Sequence, residues 1–136
     1  MAIGFIKKAT IKSFTKKALS VLPFTLNDDK RFGLAIHIIS QGLAHKLTSH
    51  TSPFENSNFL QDQWEIIDYC LDVTSKAVGI TAERLDEISR HAYESVPEEN
   101  RLELSKITID FMASKSAIDS KKLIGRAICL MHADTQ

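Results

Sequence analysis

The chain has 136 residues, of which 43% are hydrophobic and 25% are charged. These values are typical of one globular domain with a substantial core, and they exclude a disordered or low-complexity chain. The 17 basic and 17 acidic residues balance overall, yet residues 1–26 carry five lysines and no acid. A basic segment ahead of an acidic remainder indicates a partner of negative charge.

Apolar residues recur at steps of three and four along the chain, as in helices. No segment shows the alternation of apolar and polar residues that is typical of a strand. The pattern predicts an all-α fold in which a basic amphipathic N-terminal helix precedes a single-domain bundle of about five helices. Residues 1–26 are predicted to form a basic arm, and residues 27–136 are predicted to form the bundle domain. The predicted helices span about 3–22, 28–47, 59–78, 82–94, 96–114 and 117–132.

The basic arm combines an apolar side with three lysines, Lys8, Lys12 and Lys16, that are stacked one helical turn apart. Such a helix suits an anionic membrane surface or a groove in a partner protein. The residues predicted to bind there are Lys7, Lys8, Lys12, Lys16, Lys17, Phe5 and Phe14. Two alternatives stay open: a first helix of the bundle with solvated lysines, and an arm that binds nucleic acid, which the acidic body would repel.

The segment over 59–78 has the most complete amphipathic pattern of the chain, and it contains the single tryptophan, Trp64. A side chain of that size is predicted to anchor the core. Four acidic residues are predicted to form a ridge on the side opposite Trp64, and these are Asp62, Glu65, Asp68 and Asp72. The ridge is interpreted as a solvated face, or as a surface that accepts the basic arm within the molecule or in a homodimer.

Glycines and short polar side chains mark the predicted helix ends. Gly79 is predicted to end its helix as the residue after the C-cap, and Ser95 and Glu98 are predicted to form a capping box. The other predicted N-cap positions are Asn27 or Asp28, Thr81, and Ser116 or Asp119. Gly42 and Gly125 fall inside apolar helices, where the missing side chain predicts close helix packing.

Cys70 and Cys129 both fall in apolar helical patterns, so we expect two buried, reduced thiols. His37 lies within an apolar run and is predicted to be a satisfied core histidine. A metal-binding or enzymatic alternative would require four residues to converge, and these are Cys70, His91, Cys129 and His132. No spacing demands that arrangement, so no metal and no cofactor are predicted.

The sequence contains no nucleophile elbow, no phosphate-cradling glycine loop and no triad spacing. We therefore expect a non-catalytic protein that acts by macromolecular interaction, as an adaptor, chaperone, immunity or effector protein. Its expected partner is a protein or an anionic membrane surface, and nucleic acid is disfavoured. No apolar run approaches the roughly 18 residues of a spanning helix. The expected location is cytoplasmic, with peripheral membrane contact through the arm.

Overall fold

The structure is a computed structural model that describes residues 5–22, 28–48 and 59–131. The helices are α1 (Phe5–Ser20), α2 (Asp29–Thr48), α3 (Phe59–Val78), α4 (Ala82–Glu94), α5 (Arg101–Ala113) and α6 (Ala117–Met131). A short 3-10 turn, Glu98–Asn100, precedes α5. These residues contain no strand, and the predicted all-α bundle is confirmed. Within the same ranges, no helix is long and apolar enough to cross a membrane.

The second helix is the centre of the bundle, because it contacts each of the other five helices. A helix that is apolar on nearly every side is expected in a protein interior. The residues of α2 that are at most 1% exposed are Leu34, Ala35, Ile36, Ile38, Ile39 and Leu43. The predominantly apolar character of this segment therefore explains its central position.

Glycine allows α2 to approach two of its neighbours closely. A Cβ atom at Gly33 would lie 2.3 Å from the Ile88 carbonyl oxygen of α4, and one at Gly42 would lie 2.6 Å from the Met112 sulfur of α5. The close packing predicted at Gly42 is confirmed. The same prediction at Gly125 is wrong, because Gly125 is exposed and a Cβ atom there would meet no atom within 4 Å.

Local hydrogen bonds confirm most of the predicted helix ends. Three predicted N-cap side chains accept a hydrogen bond from the backbone amide three residues later, and these are Asp28, Thr81 and Ser116. Gly79 follows the last residue of α3 with a φ of 76°, and its amide donates to the Ser75 carbonyl oxygen at 2.9 Å. A left-handed backbone favours glycine, which explains why Gly79 correctly predicted the end of α3.

The predicted capping box at Ser95 and Glu98 is wrong. Ser95 is the C-cap of α4, and its hydroxyl donates to the His91 carbonyl oxygen at 3.0 Å. Pro97, with an extended backbone and no side-chain cap, precedes the 3-10 turn, and α5 begins only at Arg101. A serine just beyond a helix can donate to the carbonyl four residues back, and here that bond closes α4.

The prediction that Trp64 anchors the core is also wrong, because its side chain is 60% exposed. The buried side of α3 includes Ile66, Cys70 and Thr74. Trp64 lies at the border of that side, and exposed Asp68 follows one turn later on the same strip of helix surface. The predicted opposition between Trp64 and the acidic ridge therefore fails at Asp68.

Candidate functional site

The first helix packs on the bundle through one side. Ile11, Thr15 and Ala18 are buried there, and the Thr15 hydroxyl donates to the Cys70 sulfur of α3 at 3.5 Å. The helix contacts α3 and α2. This geometry agrees with the alternative of a first bundle helix. The predicted boundary at residue 26 falls among residues 23–27, outside the described ranges, so the division into arm and domain stays a prediction.

Five lysines of α1 have exposed side chains, and we call this set the lysine face: Lys7, Lys8, Lys12, Lys16 and Lys17. Lys12, Lys16 and Lys17 lie away from the buried strip of the helix, and Lys7 and Lys8 border it. The ammonium of Lys8 lies 5.6 Å from the centre of the Tyr69 ring, a cation–π distance. None of the five forms an ion pair with any described residue, and α1 contains no acidic side chain. The described surface therefore leaves this positive charge uncompensated.

Of the two phenylalanines predicted to bind a membrane or partner, the structure describes the side chain of Phe14 alone. Phe14 is half-buried, and its ring meets Phe111 of α5 edge to face at a centroid distance of 6.3 Å. That contact uses Phe14 for packing α1 onto the bundle. The side chain of Phe5 lies outside the described part of the chain.

In the part of the chain that the structure describes, Asp68 and Asp72 of the acidic ridge form no ion pair with the lysine face. Asp72 instead binds Lys76 on its own helix at 3.2 Å. Partial burial raises the pKa of Asp68, and the nearby carboxylates of Asp86 and Glu65 raise it further. Both Asp62 and Glu65 have interaction partners of their own. Acceptance of the basic arm by this ridge, within the molecule or in a homodimer, stays a prediction.

The structure separates the two cysteines, which are both free thiols. Cys70 is fully buried, and burial raises the pKa of its thiol to about 11. Cys129 is exposed, so the prediction that both thiols are buried is wrong at Cys129. Across 5–22, 28–48 and 59–131, no three His, Cys, Asp or Glu side chains are placed to share a metal ion. His132, part of the metal alternative, lies outside those ranges, and exposed His91 joins no such cluster.

A groove of about 880 Å³ lies on the surface formed by α2, α3, α4 and α5. Opposite sides of the groove expose large apolar side chains, Trp64 of α3 at 60% and Ile109 of α5 at 52%. Better-buried apolar residues continue the lining, among them Ile67, Leu71 and Leu104. Pockets of this volume, mainly apolar with a few polar groups, are typical binding sites.

The α2 side of the groove is polar and contains His37, which stacks on Tyr93 of α4 at a centroid distance of 4.6 Å. Burial lowers the pKa of His37 to about 4, so the imidazole is neutral at pH 7. The Arg101 guanidinium lies 4.6 Å from the centre of the same Tyr93 ring. His37 is thus partly buried and packed against an aromatic ring, at the edge of the groove rather than deep in the core.

Sequence reasoning missed the groove, although one signal was present. Leu102 and Ile109 are exposed at 69% and 52%, and they share one side of α5 while Leu104, Ile107 and Phe111 occupy the buried side. A helix with apolar residues on both sides has more apolar surface than its own bundle uses. The position of α5 beside α2 was needed to show that this surplus borders a groove.

Comparison with family profiles, with curated proteins and with solved structures finds no match for this chain.

Proposed function

We propose that this chain is a non-catalytic protein that acts by macromolecular interaction, and that the lysine face of α1 docks on an anionic membrane surface. One observation carries the proposal: five exposed lysines lie on a single helix that has no acid. None of the five is neutralised by an ion pair to a described residue. Clusters of this kind are attracted to the negative potential of anionic lipids.

The packing of α1 constrains how such docking would work. An interfacial amphipathic helix normally inserts its apolar side into the membrane boundary. Here Ile11, Thr15 and Ala18 of that side are buried against the bundle. Docking therefore depends on electrostatic attraction and does not insert the apolar side of α1 into the membrane. The helix stays packed on the bundle.

The expected affinity is low and depends on salt. Each lysine near an anionic surface contributes about 1 kcal/mol, so the five together contribute at most about 5 kcal/mol, which corresponds to a Kd no tighter than roughly 0.2 mM. The Debye length shortens as salt is added, and the attraction weakens accordingly. The proposal thus describes reversible recruitment, and further contacts would be required for a permanent anchor.

Liposome co-sedimentation of the full chain tests the proposal, with neutral vesicles compared against vesicles containing phosphatidylserine. The test variant replaces Lys12, Lys16 and Lys17 of α1 with glutamine. The matched control replaces three other exposed lysines, Lys106, Lys121 and Lys122, and so removes the same charge from α5 and α6. Substitution is preferred to deletion of α1, because deletion would uncover the core residues that α1 packs against.

Binding to anionic vesicles alone, lost in the α1 variant and retained in the control, supports the proposal. Equal loss in both variants would mean that total charge rather than the lysine face matters. No sedimentation of the unmodified chain at low salt would overturn membrane docking. Salt-sensitive binding of duplex DNA, carried by the same lysines, would assign the face to nucleic acid instead.

A further inference from the structure

The groove is a gap between helices rather than an enclosed cavity. α4 and α5 both pack on α2, while contacts of α5 with α3 and α4 are sparse. The gap is therefore bordered by α3 and α4 on one side and by α5 on the other, with α2 between them. Its volume of about 880 Å³ equals that of roughly seven residues, or two turns, of a helix about 10 Å in diameter.

Exposed apolar side chains continue beyond the groove along α5. Leu102 is 69% exposed, and it is seven residues from Ile109, so the two share one side of the helix. Leu102, Ile109 and Ala113 recur on this side over about 16 Å, which is three helical turns, with the polar residues Ser105 and Lys106 between Leu102 and Ile109. Apolar side chains spaced over that length are better covered by an elongated partner than by a compact small molecule.

Trp64 supports a macromolecular occupant for a second reason. Its side chain is 60% exposed on the side of the groove opposite Ile109. A compact ligand within the groove would leave much of that indole in water. Protein interfaces, by contrast, are enriched in tryptophan, which contributes strongly when a partner covers it.

The charge at the α3–α4 edge of the groove indicates the sign of charge that a partner would carry there. Exposed Asp68 forms no ion pair with a described residue, and it lies near Asp86 and Glu65. The two basic residues in the groove lining, Lys46 and Arg90, both have interaction partners, and that of Arg90 is Asp86. A cation on the partner would therefore be attracted to Asp68 at this edge.

We infer that the groove binds an amphipathic helix of a partner protein, with its apolar side between Trp64 and Ile109 and a basic residue beside Asp68. This helix-in-groove mode needs two to three turns of apolar side chains at helical spacing. The inference is independent of the lysine face, which lies on α1, outside the groove.

The intrinsic fluorescence of the chain reports on this site, because Trp64 is its single tryptophan. The probes are two pools of synthetic, tryptophan-free helical peptides of about three turns. Both pools place leucine, isoleucine or phenylalanine on one side, and they differ only in carrying lysine or glutamate beside it. Each pool is titrated into the full chain, and Trp64 emission and its quenching by acrylamide are recorded.

The test variant is Ile109→Glu, which places a charge on the far side of the groove without altering Trp64. Ile118→Glu is the matched control, because Ile118 is similarly exposed at 67% but lies on α6, outside the groove lining. We expect the lysine pool to shift Trp64 emission to the blue and to protect it from acrylamide. We expect Ile109→Glu to weaken that binding by about tenfold or more, and Ile118→Glu to leave it within about twofold.

Four results would overturn the inference. The first is that neither pool binds, and the second is that Ile109→Glu and Ile118→Glu weaken binding equally. The third is that a small apolar dye protects Trp64 while neither pool does, which would assign the groove to a small ligand. The fourth is concentration-dependent self-association that protects Trp64 without peptide, which would assign the groove to a second copy. Stronger binding of the glutamate pool would contradict the charge assignment at Asp68.

Discussion

The lysine face and the groove differ in how they arise from the chain. All five residues of the lysine face lie on α1, within eleven consecutive positions from Lys7 to Lys17. The groove takes its lining from four helices, and Trp64 and Ile109 are far apart in sequence. A surface on one helix needs only the helical period, whereas a surface between helices needs their packing. Of the four predictions below, the first three test whether each surface is fixed in place as the structure shows, and the fourth is a reference away from both surfaces.

The largest expected effect concerns the attachment of α1. Ile11 is fully buried, so Ile11→Ala should lower the free energy of unfolding by about 2–5 kcal/mol. Urea denaturation measures the loss. Ile118→Ala is the control, because Ile118 is 67% exposed and its truncation should change stability by no more than about 0.5 kcal/mol. An equally small effect at Ile11 would mean that α1 is a separable arm and that the lysine face is not fixed on the bundle.

The second prediction concerns acid sensitivity at the groove. Burial lowers the pKa of His37 from 6.5 to about 4, so between these values the unfolded chain binds a proton that the folded chain does not. Stability is therefore complete above pH 6.5 and falls as the pH drops toward 4, by roughly 3 kcal/mol from this residue. Urea denaturation across this range should show a shallower pH dependence for His37→Gln than for the unmodified chain. Identical slopes would mean that His37 is more solvated than the structure shows.

The third prediction concerns the contact of α2 with α4, which forms part of the groove. A Cβ atom at Gly33 would lie 2.3 Å from a backbone oxygen of α4, so Gly33→Ala must force the two helices apart. Overpacking costs about 1–3 kcal/mol, and the better helix propensity of alanine offsets about 1 kcal/mol. We expect a net loss of up to about 2 kcal/mol by urea denaturation. A gain in stability would show that α2 and α4 are not in close contact here.

The smallest effect is expected from the same substitution away from both surfaces. Gly125 is exposed on α6 with open space around it, so Gly125→Ala should raise the free energy of unfolding by about 0.5–1 kcal/mol. The opposite signs at Gly33 and Gly125 make the two variants controls for each other. Loss of stability at Gly125 would indicate a close contact at α6 that the structure does not show.

Much of the fold was predictable because local signals fix it. The predicted bounds 59–78 and 82–94 agree with α3 and α4, since Gly79 and Thr81 end one helix and begin the next through bonds to their own neighbours. The burial of α2 followed from apolar residues on nearly every side. Ser95 was assigned to the wrong helix, because its hydroxyl can serve either the helix before it or the one after it.

The features of the candidate sites also fall into those that local sequence fixes and those that helix packing fixes. The sequence by itself determined the helices and the lysine cluster, because each depends on residues within one or two turns. Only the tertiary structure decided that α1 packs through Ile11, that Cys129 is exposed while Cys70 is buried, and that Trp64 faces a groove. The physical reason is that exposure at the border of an amphipathic helix depends on where the neighbouring helices lie, and helical periodicity carries no information about that placement.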